Sequence, residues 1–214
     1  NQYLETPNDP QLNIPPGNAG GSGDFSFDAW VKIDPNTNSS GVRVIVEKRT
    51  ANPYKGYSFY LYNRYLGLQL ADASGFTNYG APSLVVKNDG QWHFVAVSVK
   101  RQPGAFDVQF TYDPDKYPSV HVYSPARAGD LTNSSAMRIG MLTIGTGSVF
   151  NGSMDEVEFF NRAVSSAEWL TIQSAGCYGK CDARGARLMQ VPDPLPPGNC
   201  TWDPIQRIWT NCTL

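Results

Sequence analysis

Along most of the chain, apolar and polar residues alternate with a period of two, the spacing of strands that bury one face. Phe25, Phe27, Ala29, Val31 and Ile33 share one side of a strand over residues 25–33. A second strand is expected at 42–48. Tyr57 to Tyr62 and Leu66 to Leu70 read as a hairpin across Asn63, Arg64 and Tyr65. Leu84 to Lys87 precedes Asn88-Asp89-Gly90, a turn in which glycine supplies the positive φ. Residues 91–100 are apolar on both faces, as in a central strand covered on both sides. Further strands are expected at 106–112, 119–123, 137–141 and 153–160. One helix is predicted over 166–175: Ser165 and Glu168 form a capping box, Trp169, Leu170 and Ile172 follow, and Gly176 stops it. Many short strands and one late helix predict an all-β fold, an antiparallel two-sheet jelly-roll sandwich with one short C-terminal helix. Its core is expected to hold Phe27, Trp30, Val31, Leu68, Trp92, Phe94, Val95, Val97, Ile139 and Val157.

Composition agrees. Hydrophobic residues make up 41 % and charged residues 17 %, and 20 Gly, 16 Pro, 5 Trp, 11 Tyr and 10 Phe suit short strands joined by turns. The net charge is −2 and Lys and Arg do not cluster, which argues against a nucleic-acid partner. No apolar run approaches the ~20 residues of a membrane span, so membrane insertion is not expected. The chain opens within a strand at Asn1 to Leu4 and reads as a mature or excised fragment.

The four cysteines change the picture at one end. Cys177, Cys181, Cys200 and Cys212 all fall in the last fifth, which divides the chain into a sandwich over 1–181 and a Pro/Cys-rich tail over 182–214. Their spacing fits no common four-cysteine zinc site, whereas an even count in such a tail fits disulfides and an oxidising compartment. Four cysteines allow three pairings; joining neighbours gives Cys177–Cys181 and Cys200–Cys212, the second closing a hairpin. Five Asn-x-Ser/Thr sequons (Asn38, Asn133, Asn151, Asn199, Asn211) are compatible with secretion to an extracellular surface.

Candidate chemistry is sparse. His93 and His121 are the only histidines; each lies in a strand without an evident nucleophile, so neither makes a triad. Gly20-Gly21-Ser22-Gly23 precedes a strand and not a helix, so it is no phosphate loop. Sugar binding needs aromatic faces for pyranose C–H groups and planar polar side chains for hydroxyls. Tyr60 and Tyr62 alternate on one face of a strand, Arg64 and Tyr65 sit in its turn, and Asn78-Tyr79 is expected in a Gly-bounded loop. Tyr60, Tyr62, Arg64, Asn78 and Tyr79 are therefore the candidate ligand residues, against the plain alternative that strand tyrosines pack.

The chain resembles the laminin-G-like branch of the concanavalin A-like lectin/glucanase superfamily, in the form common in secreted bacterial proteins. The resemblance rests on Tyr3 to Pro7, Phe25 to Val31, Val46 to Arg49, Gly56 to Phe59, Asp89 to Val97, Ile139-Gly140, Phe150 to Val157, and Asn161 to Ser165 with Glu168. It implies a sandwich that hosts lectins, adhesion modules and hydrolases alike. It also implies one structural Ca²⁺ in many relatives, for which Asn8, Asp9 and Asp155 are the expected ligands. Glucanases on this fold carry Glu-x-Asp-x-x-Glu; here Ser153 stands where the nucleophilic carboxylate belongs, beside Asp155 and Glu158, so an enzyme is not expected. Relatives begin with a further strand that is absent here, and the tail or a neighbouring subunit is expected to cover the edge so opened. The resulting expectation is a secreted, non-catalytic lectin-like or adhesion module that meets a glycan or a cell-surface protein. The alternative is a structural subunit of an extracellular homo-oligomer or fibre, and a glycan-active enzyme is a distant third.

Overall fold

Strands appear wherever the alternation predicts them, and a computed structural model arranges them in two antiparallel sheets. The structure describes residues 3–18, 20–36, 40–144, 148–175, 201–203 and 208–210. One sheet has the order β1 (Leu4–Thr6), β10 (Met137–Ile139), β3 (Val42–Ala51), β4 (Tyr54–Tyr62), β5 (Tyr65–Asp72), β6 (Gly75–Val85). The other has β11 (Gly152–Phe160), β2 (Phe25–Ile33), β7 (His93–Lys100), β8 (Asp107–Tyr112), β9 (Val120–Val122). β1 pairs with β10, Leu4 opposite Ile139, and β2 pairs with β11, Phe27 opposite Phe159. Among the described residues, β11 is paired on one side only, with β2.

The space between the sheets is filled by the alternating sets. Phe25, Phe27, Val31, Phe59, Leu68, Val95 and Val97 are all buried there, and the rings of Phe25 and Phe27 both contact Tyr57 across the gap. A second, smaller apolar layer lies on the outer face of the five-stranded sheet. There α1 (Ser166–Ala175) sets a fully buried Trp169 against Phe94 and Phe160. This explains why β7 is apolar on both faces: Val95 and Val97 fill the main core while Phe94 and Ala96 underlie the helix. The capping box forms as expected, with Ser165 N–H donating to Glu168 Oε2 at 2.9 Å and Glu168 N–H to Ser165 Oγ at 3.3 Å. Ser26 and Ser98 hold the approach to the helix: both hydroxyls are bonded to the backbone of Val164, and that of Ser26 also donates to Arg162 O.

Four expected core residues are placed differently. Trp92 precedes β7 and is 42 % exposed, its ring under the Lys32 ammonium, because the strand's regular pairing begins only at His93. Trp30 is half-buried in the layer beneath α1, and Ile139 and Val157 are half-buried at the margin of the main core. The segment expected to be a loop around Asn78-Tyr79 is instead the middle of β6, laddered to β5 from Gly75 to Val85.

Two buried cations tie the loops. Arg101 has no exposed surface; Nε donates to Arg127 O at 2.9 Å, Nη1 to Pro15 O at 2.8 Å, and Nη2 to Gly129 O. Burial lowers its pKa to about 10. Lys48 donates to Asn8 Oδ1 at 3.0 Å and Asn133 O at 2.6 Å, and burial lowers its pKa too.

Contacts divide the chain into two units, Asn1–Gln173 and Ser174–Leu214. Within the second, β12 (Thr201–Asp203) and β13 (Ile208–Thr210) form an antiparallel ladder with Trp202 opposite Trp209. Cys177, Cys181, Cys200 and Cys212, and so both expected disulfides, lie outside the described residues, as do Asn38, Asn199 and Asn211.

Candidate functional site

The outer face of the six-stranded sheet carries the site, and the strand period builds it. On β4, Tyr57, Phe59 and Leu61 enter the core, so Ser58, Tyr60 and Tyr62 face outward. On β5 the same rule turns Tyr65, Gly67 and Gln69 outward, and on β6 Asn78, Gly80 and Pro82. Register then lines these up. Glu47, Ser58, Gln69 and Asn78 form one row across β3, β4, β5 and β6. Val44, Tyr60, Gly67 and Gly80 form the next, and Tyr62 stands opposite Tyr65 at the end of the hairpin.

Between the rows lies an open pocket of about 640 Å³. Its aromatic side is Tyr60, Tyr62 and Tyr65; Tyr62 is 54 % exposed. Tyr60 lies across β5 because Gly67 has no side chain: a Cβ there would sit 2.5 Å from the Tyr60 ring. Burial raises the Tyr60 hydroxyl pKa, and the nearby Arg49 opposes that rise. The hydroxyl therefore stays a neutral hydrogen-bonding group at physiological pH.

The polar side is a connected chain. Glu47 is fully buried; its Oε1 accepts from Thr143 N–H and Oγ1 at 2.8 Å each, and its Oε2 lies 2.9 Å from Arg49 Nη2. Arg49 Nη1 donates to Gln69 Oε1, and Gln69 Nε2 donates to Asn78 Oδ1 at 2.7 Å. Such a chain fixes each planar group by its neighbour and orients the exposed Asn78 amide. Glu47 offsets the charge of Arg49, so the floor carries dipoles without a net charge. Aromatic rings facing a few oriented polar groups in a shallow pocket suit a small polar ligand with apolar faces.

Of the candidate ligand residues, Tyr60, Tyr62 and Asn78 come together here. Tyr79 does not take part: its ring is buried in the core and its hydroxyl donates to Pro125 O at 2.6 Å. Arg64 sits in the β4–β5 turn at φ 71° and donates to Asn88 Oδ1, away from the pocket lining. Reading the sequence missed Arg49, Gln69 and Pro82. Only the outward parity of β3, β5 and β6 reveals them, and β6 was not recognisable as a strand.

Each of the expected calcium ligands has a hydrogen-bond partner within the protein. Asn8 Oδ1 already accepts from the Lys48 ammonium, and Asp9 Oδ1 accepts from Gln11 N–H at the start of a short 3₁₀ turn, Pro10–Leu12. Asp155 lies on β11 in the other sheet and accepts from Glu156 N–H. Among the described residues, no group of three or more His, Cys, Asp or Glu side chains gathers for a metal.

His93 fixes the rim of β7. Nδ1 lies 2.8 Å from Asp113 Oδ2, Nε2 lies 3.0 Å from Asp89 Oδ1, and Asp113 Oδ1 accepts from Phe94 N–H. The hydrogen bond from His93 is the main cause of the lowered Asp89 pKa. His121 is held by Asp107 on the neighbouring strand. On β11 a bulge separates Asp155, opposite Trp30, from Glu158, opposite Asp28, and Ser153 precedes both.

With this geometry in place, comparison with known proteins is informative. The family model of the concanavalin A-like lectin/glucanases superfamily, laminin G type, matches residues 5–168. The chain belongs to this superfamily. No curated protein matches the superfamily member described here by sequence. Among solved structures, its sandwich is similar to the binding domain of Paraclostridial Mosquitocidal Protein 1, at TM-score 0.57 and 15 % identity over 82 % of this chain and 41 % of that one. It is similar to the botulinum neurotoxin serotype G binding domain, at TM-score 0.57 and 12 % identity over 82 % and 41 %. A third is the serotype D ligand-binding domain solved with N-acetylneuraminic acid, at TM-score 0.55 and 10 % identity over 82 % and 40 %. The chain thus spans about two fifths of these structures, and what they share with it is the superfamily fold.

Proposed function

We propose that this chain is a non-catalytic carbohydrate-binding module of a secreted protein, and that the pocket on the outer face of the six-stranded sheet is its ligand site. The observation that carries this reading is the pairing of Tyr60, Tyr62 and Tyr65 with the oriented row of Arg49, Gln69 and Asn78. The rings offer apolar faces to the C–H surface of a pyranose while the amides meet its hydroxyls. Binding without turnover is supported by Ser153, which occupies the position of a catalytic carboxylate and cannot serve as one. Among the described residues, no helix is long and apolar enough to cross a membrane. That two of the similar structures are called binding domains and a third a ligand-binding domain, solved with a sugar acid, agrees with this reading at the level of the fold.

A glycan array followed by titration calorimetry on the best hit tests it. Removing the half-exposed ring in Tyr62→Ala should weaken binding at least tenfold, about 1.4 kcal/mol, with an unchanged melting temperature. An array without hits, or a hit indifferent to Tyr62→Ala, would refute the assignment.

A further inference from the structure

The same outward face continues beyond the pocket. Strand parity brings Tyr54 of β4 and Phe76 of β6 to the side that carries Ser58, Tyr60, Asn78 and Gly80. Their rings meet edge to face, with centroids 6.1 Å apart, although β5 runs between their strands. They can meet because the β5 residue on that side is Ala71, which is fully covered. Tyr54 and Phe76 are nonetheless 50 % and 53 % exposed. Two large rings kept half in water at one spot, neither filling a core, make a platform and not a scattered surface residue.

The platform is aligned with the pocket. Phe76 lies opposite Ala71 on β5, and Tyr65 is at the start of that strand, so the distance between the two aromatic ends is about 20 Å at the rise of an antiparallel strand. The polar row of Ser58, Gln69 and Asn78 falls between them. The sequence of surfaces along the strands is therefore aromatic, polar, aromatic, too long for a single sugar ring. Arg49, the largely covered cation of this face, is matched by Glu47.

Resting on the carbohydrate-binding reading, we propose that the ligand is a neutral, linear oligosaccharide that runs along β4 to β6, with Tyr54 and Phe76 forming a second subsite. A terminal acidic sugar would leave its carboxylate over a floor whose cation is already paired, whereas a neutral chain meets rings at both ends and amides in the middle.

Titration calorimetry with neutral ladders of one to six units (cello-, xylo-, manno-, malto- and chito-oligosaccharides) tests this, with oligogalacturonates and a sialylated trisaccharide as the acidic arm. For the neutral ladder that binds, affinity should rise about tenfold or more between one and four units. Tyr54→Ala with Phe76→Ala should abolish that rise while leaving the single-sugar affinity and the melting temperature unchanged, and Tyr54→Phe with Phe76→Tyr should restore it. Binding that is independent of length, a rise that survives the double alanine variant, or a preference for the acidic arm would overturn the second subsite while leaving the pocket assignment standing. No binding in any ladder or in the acidic arm would overturn both.

Discussion

A guanidinium with no exposed surface must find its hydrogen-bond partners inside the protein, and Arg101 finds them in the carbonyls of Arg127, Pro15 and Gly129. The carbonyls gain a charged donor in turn, which makes each of these hydrogen bonds stronger than a neutral one. Arg101→Met should therefore cost about 3 kcal/mol, measured by urea unfolding, with no change in ligand affinity, because the clamp lies away from the pocket lining. Asp72 shows the opposite sign of charge in a similar position. Burial alone would raise its pKa, but hydrogen bonds from Ser74 and the Arg127 guanidinium at 3.0 Å outweigh burial and lower it. A carboxylate with a lowered folded pKa adds stability above its unfolded value near 3.9 and loses it as pH falls through the folded value. Asp72→Asn should accordingly destabilise by about 2 kcal/mol at pH 7 and by progressively less as pH falls below the unfolded value, a convergence that thermal melts across pH would show.

Elements differ in how openly the sequence declares them. β2 runs from Phe25 to Ile33 and α1 from Ser166 to Ala175, both where pattern and capping place them. Each carries its own signal: strict alternation in one, a reciprocal Ser–Glu cap in the other. The cap makes a local expectation. Ser165→Ala should destabilise by about 1 kcal/mol, and Trp169 fluorescence should report the helix loosening from Phe94 and Phe160 before the sandwich unfolds. β6 has no such signal, for Gly75, Gly80, Pro82 and a run of polar residues break any period. Its extended form comes from the ladder with β5, a tertiary cause that overrides weak local preference. Trp92 went astray for a related reason: an apolar residue at the end of an alternating run has no covering layer once pairing stops, and it lies instead under Lys32.

At the scale of the molecule, the fold was legible and the site only partly so. Tyr60 and Tyr62 are visible as a pair because one strand holds both. Arg49, Gln69 and Asn78 come from three strands, and their hydrogen-bonded chain exists only once β3, β4, β5 and β6 are neighbours in that order. Gly67 joins the two levels: it costs the strand a side chain and lets the Tyr60 ring lie across β5. Gly67→Val should thus expel the ring, lowering ligand affinity about tenfold with only a small change in melting temperature, as calorimetry and thermal melts would register.

The pairing of β1 with β10 and of β2 with β11 also sets a timetable for biosynthesis. Both partners of the early strands are made near the end of the sandwich, so the six-stranded sheet cannot be completed until residue 139 has emerged, nor the five-stranded sheet until residue 160. At about 5–20 residues per second, Phe25, Phe27 and Val31 wait for several seconds with one flank of their strand open. During that interval a nascent chain exposes apolar surface and an unpaired backbone to its neighbours, the circumstances under which strand pairing goes wrong between molecules. The long reach that closes the sandwich thus sets how long the growing chain stays open to mispairing.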